Sequence, residues 1–487
     1  MTELLEKPVW ESAVFNGTWN PGSGKDLPVV EPATGAQLST VGGASPADVD
    51  AAVAKAAVAQ REWANTPYTV RAAVLRRAGL LFEEHADEIN EWIVRESGAI
   101  TAKAELETHV AAEECYGASA LAAHPYGEVL RSEQPRISYS RRMPVGVVGV
   151  IAPFNFPLIL SIRAVAPALA LGNAVVLKPD PRTSLCGGVV LARIFEEAGL
   201  PEGLLSVLPG GADVGEALVV HPHVRVIAFT GSTAAGRAIG ELAGRHLKRA
   251  HLELGGNNAL IILDDVDIEK AASIGSFGSF MHQGQICMTV GRHIVHESVA
   301  ADYATALAEH ASRLPVGDPF VEQVALGPLI DAGQRDRVHA LVSASIDSGA
   351  RVLAGGTYDE LFYRPTVLTD VSTSAPAFAQ EVFGPVAPIV SFADIDQAIA
   401  IANDCEYGLS LGILAADGLR ALEVADRIPT GLVHINDQTV SDEAVIPFGG
   451  TGFSGNGGRV GGVGANLDAF TETQWVTAQS ALASYPF

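Results

Sequence analysis

The chain has 487 residues, 48% of them hydrophobic, with 50 glycines, 27 prolines and a formal charge of −24. It is too long for one simple core and too apolar to be disordered, which leaves a globular, enzyme-sized protein of two or three domains. The acidic balance argues against nucleic acid as a partner, because neutralising phosphate needs Lys and Arg.

The start, MTELLEKPVWES, lacks a basic segment followed by an apolar run, so no secretory signal is read and a cytoplasmic location is expected. The first forty residues read as short strands broken by turns at Asn16-Gly17 and Pro32-Ala33-Thr34-Gly35. Ser45-Pro46-Ala47-Asp48 is a helix start: Ser as N-cap, Pro at the first helical position, an acid three residues after the cap. A second helix is expected from about Thr69 to Gly98, with Val74, Ala78, Leu81, Phe82, Ile89, Trp92 and Ile93 on its apolar stripe. Residues 143–177 are almost wholly apolar, but Pro144, Pro153, Asn155, Pro157, Arg163 and Pro167 interrupt them. A membrane span needs about 20 uninterrupted apolar residues, so this stretch reads as a buried strand, a turn and a buried helix.

Beyond Met143, strand-like runs at 145–152, 174–178, 204–208 and 224–229 alternate with helix-like stretches, one of them TSLCGGVVLARIFEEAG closing on Gly199. Such alternation predicts an α/β fold with parallel sheets covered on both faces, binding ligands beyond the carboxyl ends of the strands. A second series follows His251-Leu252-Glu253-Leu254-Gly255-Gly256, with helices at 299–313 and 331–348 and strands in PTVL, PVAPIVSF, LSLGILA and GLVHIN. A boundary is therefore expected near residue 253. Residues 125–144 and the last twenty fit neither series. Their strand-like ISYSRRM and TETQWVTA are expected to pair with each other or with another subunit.

The G-x-G-x-x-G fingerprint and the P-loop are both absent. Phe229-Thr230-Gly231-Ser232-Thr233-Ala234-Ala235-Gly236 instead ends a strand and enters a helix, which suits either a diphosphate or an ordinary capped turn. The four cysteines, 115, 186, 287 and 405, show no disulfide or zinc pattern, and no metal is expected. Most free cysteines are small buried hydrophobes. A nucleophilic thiol at Cys287, in MHQGQICMTVGR, needs oxyanion donors and a base. Asn155 in PFNFP, Glu253 between the two series and Glu381-Val382-Phe383-Gly384-Pro385 offer candidates, although each reads equally as a turn, a surface charge or core.

PFNFP (153–157), LKP (177–179), FTGST with Gly236 (229–236), LELGG (252–256), GQIC (284–287), EVFGP (381–385) and PFGG (447–450), in this order, resemble the aldehyde dehydrogenase superfamily over essentially the whole chain. The resemblance implies a Rossmann-like cofactor domain from 1–124 and 145–252, an α/β catalytic domain at 253–465, and a small β oligomerisation element from 125–144 and 466–487. It also implies a homodimer or homotetramer that acts on a small-molecule aldehyde with no membrane partner. Cys287 would attack the aldehyde, Asn155 and the Cys287 backbone N–H would hold the oxyanion, and Glu253 would activate water against the thioester. NAD or NADP would be the cofactor: Gly231, Ser232 and Gly236 at the diphosphate turn, Lys178 at the adenosine ribose, Glu381 at the nicotinamide ribose and Phe383 against the ring. Glu253 favours release of a free acid over transfer to coenzyme A.

Phe154 stands where relatives commonly carry Trp. After Lys178, Pro181 and Arg182 replace the acid that repels a 2′-phosphate in NAD-preferring relatives, so NADP use is expected, alone or beside NAD. The segments His434–Thr439, Asp442-Glu443 and Ser454–Arg459 are similar to the benzaldehyde and vanillin dehydrogenase branch, which implies an aromatic substrate walled by Phe156 and Ile159. Arg163 keeps a succinate-semialdehyde type of substrate as the alternative, or else pairs with a nearby acid. A non-redox thiol esterase and a silent binding protein are the remaining rivals.

Overall fold

The computed structural model describes residues 3–487; Met1 and Thr2, with which the expected cofactor domain opens, lie outside the described residues. The alternating apolar runs form two seven-stranded sheets. In the first, the parallel strands Arg249–Glu253, Val224–Thr230, Val147–Ile151, Ala174–Lys178 and Leu205–Val207 lie side by side in that order, followed by the antiparallel Ala13–Phe15 and Trp19–Pro21. Every residue of 147–151 and 174–178 is buried, as expected where helices cover both faces. The second sheet runs Arg351–Ala354, Thr366–Thr369, Val386–Phe392, Val290–His296, Asn258–Ile262, Ser410–Leu414 and Leu432–Ile435, parallel except for its first pair.

Ser45 and Asp48 form the expected capping box, with Pro46 opening the helix Pro46–Asn65. The helix expected over 69–98 is two helices, Tyr68–Glu84 and Ala86–Ser97, broken at His85 (φ −113°, ψ 20°). The apolar stripe continues through the break because both pieces bury the same kind of face, so a one-residue kink leaves no mark on the periodicity. The stretch 183–199 also departs from a plain helix: Pro181–Thr183 is a 3₁₀ turn, Leu185–Val189 a π turn and Val190–Glu197 an α-helix. The buried Glu96 carboxylate accepts from the Leu185 and Cys186 N–H groups (2.9 and 2.7 Å), and the Ser161 hydroxyl donates to the Gly187 carbonyl. These contacts take backbone groups out of the ordinary helical ladder. Gly199, at φ +79°, follows its end as expected.

Residues 137–144 pair antiparallel with 471–478 and with Gly127–Val129 in a separate three-stranded sheet. Its surface exposes Val129, Ile137 and Trp475. No helix among the described residues is long and apolar enough to cross a membrane; residues 143–177 are instead a strand, the helix Pro157–Ala170 and a second strand. The carboxyl ends of the first sheet meet the amino ends of the second. Residues 155, 231 and 253 come from the first set, and Asn258, Cys287 and Glu381 lie just before or at the start of strands in the second.

Candidate active site

Strand Val147–Ile151 runs into PFNFP, and Pro157 starts the next helix, where its missing N–H costs nothing. Asn155 is buried in this turn. Its carbonyl accepts from Lys103 Nζ (2.8 Å), and its side-chain amide donates to the Gln285 carbonyl (2.8 Å). An amide nitrogen carries two N–H groups, so one remains for a ligand. Lys103 pairs with Glu107 one turn along the helix Thr101–Leu121, both fully buried. Glu107 accepts from the Leu158 N–H (3.0 Å), one of the groups a helix start leaves unpartnered. Lys103 also lies over the Phe156 ring at 4.4 Å. Burial pulls Lys103 down and pushes Glu107 up, each opposed by the other's charge.

The cysteine loop follows the helix Ile268–Phe280. His282 (φ +48°), Gln283 (φ +56°) and Gly284 (φ +65°) make three consecutive left-handed residues, a conformation costly for the first two. The Gln283 amide holds them by donating to the Gly98 and Pro328 carbonyls (2.9 and 2.7 Å), while Gln285 Oε1 accepts from the Ile330 N–H. A Cβ on Gly284 would stand 2.2 Å from the Gly384 carbonyl, so glycine lets this loop touch the EVFGP loop backbone to backbone. Cys287 emerges half-buried, its carbonyl accepting from the Asn258 amide (2.8 Å). Its thiol is pushed up to about 12 by burial first, then by the Glu381, Glu253 and Asp442 carboxylates. Those carboxylates oppose the thiolate, so proton removal needs a base at hand.

Asn155 and Cys287 open onto a cleft of about 490 Å³ that Lys178, Gly231, Ser232, Glu381 and Phe383 also line. Gly236 lies outside it: a Cβ there would meet Leu254 at 2.2 Å, so this glycine serves the packing of the helix Thr233–Arg245 on the strand end. Ser232 caps that helix. Lys178 Nζ donates to the Pro179 carbonyl (2.8 Å) and keeps two further protons free. Glu381 Oε1 accepts from the Gly256 N–H (2.9 Å), and burial raises its carboxyl to about 7. Phe383, at φ +56°, is held through its carbonyl by the Gln334 amide (2.7 Å), and its ring stands edge-on to Phe154. Arg182 stacks on Phe154 (4.1 Å) and is gripped twice by Asp180 (both 2.9 Å) and once by Asp331 (2.9 Å). An elongated cleft with a helix N-terminus, a lysine and glycine backbone on one side, and a carboxylate and an aromatic on the other, fits a dinucleotide.

Glu253 ends strand Arg249–Glu253, buried to 5% exposure, and faces a smaller cavity behind Cys287. Burial raises its carboxyl well above the usual range; Arg459 and Arg163 oppose the shift and Asp442 adds to it. Arg163 is bound by Glu114 (2.9 Å) and Asp442 (2.6 Å), the structural pairing weighed for it from the sequence. An apolar cluster of Ile286, Met288, Leu409 and Phe448 packs with Phe156, Met281, Val440 and Ile446 around Cys287. Ile159, expected beside Phe156, is buried outside this cluster, in the first turn of the helix Pro157–Ala170.

A profile described as the aldehyde dehydrogenase family matches residues 19–476. The chain belongs to the aldehyde dehydrogenase family. A vanillin dehydrogenase of Amycolatopsis sp. is 64% identical over 99% of this chain and 100% of its own. A benzaldehyde dehydrogenase [NAD(+)] of Pseudomonas putida is 50% identical over 100% of both. The crystal structure of a salicylaldehyde dehydrogenase from Pseudomonas putida G7 complexed with salicylaldehyde superimposes with a TM-score of 0.94 at 34% identity, covering 98% of this chain and 99% of that one. This aldehyde dehydrogenase is an NAD(P)-dependent oxidoreductase. Its site includes Lys103, Glu107 and Asn258, which lie outside the sequence motifs, and it gives contacts to Gln285 and Asp442, which the sequence marked only as parts of motifs. The spacing of Lys103 and Glu107 was visible, but such pairs usually mark a solvated helix face.

Proposed function

We propose that this enzyme oxidises aromatic aldehydes to carboxylic acids, with Cys287 as nucleophile, Asn155 as oxyanion donor and Glu253 as general base. The observation that carries the substrate class is the apolar cluster around Cys287, which includes the aromatic side chains of Phe156 and Phe448. The vanillin, benzaldehyde and salicylaldehyde dehydrogenases among its relatives support the same reading. Arg163, the residue that suggested a semialdehyde, has its charge offset by Glu114 and Asp442 and offers little to a substrate carboxylate.

Cys287 gives its thiol proton to water in the cleft it half faces, which acts as the base, and adds to the aldehyde carbon to give a thiohemiacetal. Its oxyanion is held by the free N–H of the Asn155 amide and by the Cys287 backbone N–H. Lys178, Gly231 and Ser232 would hold the ribose and diphosphate of the dinucleotide, with Glu381 at the second ribose and Phe383 against the ring; when bound, the dinucleotide supplies the hydride acceptor. Hydrolysis of the thioester then needs a base. Burial makes the Glu253 carboxylate a stronger proton acceptor, suited to take a proton from the attacking water.

NAD is the preferred cofactor. Arg182, which follows the position where the repelling acid is missing, is enclosed by Asp180 and Asp331, whose two negative charges outweigh its one positive charge. The oligomer forms through the exposed sheet of 127–129, 137–144 and 471–478, and light scattering against a Trp475→Glu variant tests it. Free thiols, one of them the nucleophile, suit the reducing cytoplasm. The deciding assay is reduced-cofactor formation with benzaldehyde and with succinate semialdehyde. Faster turnover of benzaldehyde is expected, and preference for the semialdehyde would reverse the assignment.

A further inference from the structure

Strand Arg249–Glu253 turns His251 and Glu253 to one face and Leu252 to the other, where it packs toward Gly240. On the first face lies a cavity of about 20 Å³ walled by His251, Glu253, Arg163, Leu160, Phe448 and Val460. Both nitrogens of His251, both carboxylate oxygens of Glu253 and Arg163 Nη2 are buried without a hydrogen-bond partner. All three residues are more than nine-tenths buried. Buried polar atoms of native proteins rarely go unpartnered, and a polar cavity of about this size takes one water.

We propose that this cavity holds one ordered water joining the Glu253 carboxylate to the His251 ring, and that His251 passes outward the proton Glu253 gains in thioester hydrolysis. The proposal rests on the reading of Glu253 as general base. In that step water oxygen bonds to the acyl carbon, its proton goes to Glu253, and the C–S bond breaks to return the Cys287 sulfur and the acid. Glu253 must lose that proton before the next turnover. The cavity water takes it and hands it to one ring nitrogen while the other ring nitrogen gives up its proton to solvent water at the exposed Asn456-Gly457 turn. Each passage leaves the ring in its other tautomer, so it must flip or exchange its proton before the next; burial first, then Arg249, lowers His251 to about 4 against the opposing Ala469 backbone, which keeps the ring neutral throughout. One edge of the ring lies against the tail: a Cβ on Gly458 would come within 2.8 Å of His251 Nδ1, and the adjoining Asn456-Gly457 turn is exposed. Arg163, fixed by Glu114 and Asp442, borders the same water, and Arg459 faces Glu253 from the tail. The Arg459 charge opposes a proton on Glu253 and so favours its discharge.

p-Nitrophenyl acetate, which acylates a reactive thiol without cofactor, separates the two half-reactions: the nitrophenolate burst reads acylation and counts folded sites, and the steady rate reads deacylation. His251→Gln, which keeps hydrogen bonds but cannot shuttle a proton, is expected to keep the burst and lose about 10²-fold in the steady rate, the low end for proton-transfer catalysis. His251→Ala should behave alike and recover with added imidazole, beyond the effect of imidazole on the wild type. A His251→Gln steady rate within about twofold of wild type, beside a Glu253→Gln variant that no longer deacylates, overturns the relay and leaves the base standing. Normal deacylation by Glu253→Gln removes the base reading and the relay with it. Equal loss of burst and steady rate in both His251 variants means a structural role and also overturns the relay.

Discussion

The Asn155 side-chain amide donates to the Gln285 carbonyl at 2.8 Å, a single bond that joins a loop of the first sheet to the cysteine loop before the second. Its partner is two residues from Cys287, so the bond sets the amide and the thiol in one frame. Asn155→Ala removes this tie together with the proposed oxyanion donor. The expected outcome is a fall of about 10²–10³ in kcat, the range for loss of one oxyanion donor. The decrease should appear in the first-turnover burst of reduced cofactor as well as in the steady state, which stopped-flow absorbance would read.

Beneath that amide, Lys103 and Glu107 form a buried pair that also binds the Asn155 carbonyl and the Leu158 N–H. Lys103→Met strands the Glu107 charge, and removal of one buried partner costs about 3–5 kcal/mol. The double variant Lys103→Met/Glu107→Gln should regain much of that stability yet keep a depressed kcat, because the Asn155 carbonyl still lacks its donor. Thermal unfolding and kcat measured on the same samples separate the two effects.

Burial raises Glu96 to about 7, with the Cys186 thiol and the Leu185 and Cys186 N–H groups opposing the shift. A carboxyl whose folded value exceeds its unfolded value of 4.5 contributes stability that is full below pH 4.5 and lost as pH rises through 7. The wild type should therefore lose midpoint temperature between pH 5 and 8 relative to Glu96→Gln, whose slope lacks this component. A steeper decline in the variant would refute the assignment.

At the adenosine corner, Asp180 and Asp331 enclose Arg182. Asp180→Asn weakens that enclosure and reduces the local negative charge. The ratio of kcat/KM for NAD to that for NADP should exceed one in the wild type and fall by about tenfold in the variant, the effect of roughly 1.4 kcal/mol at a partly exposed charge. An unchanged ratio would show that Asp180 has no part in discrimination.

The residues proposed to carry chemistry were largely legible in the chain. Cys287, Asn155, Glu253 and the strand-to-helix turn at Gly231-Ser232 stand in motifs whose order implied the fold, and alternating apolar strands and helices implied its sheets. Where periodicity was the only guide, as across His85 or through Leu185–Val189, it missed a break and a π turn. At the π turn a side chain from a distant segment, Glu96, takes the Leu185 and Cys186 backbone N–H groups.

By itself the sequence determined which reactive groups exist, their order, and the family they belong to, because those follow from residue type and spacing. Tertiary structure alone decided their state: that Lys103 and Glu107 are buried beneath Asn155, that Arg163 is already paired, that Arg182 is enclosed, and that His251 and Glu253 face one cavity. Desolvation and charge pairing act through space between segments far apart in the chain, so no local pattern records them.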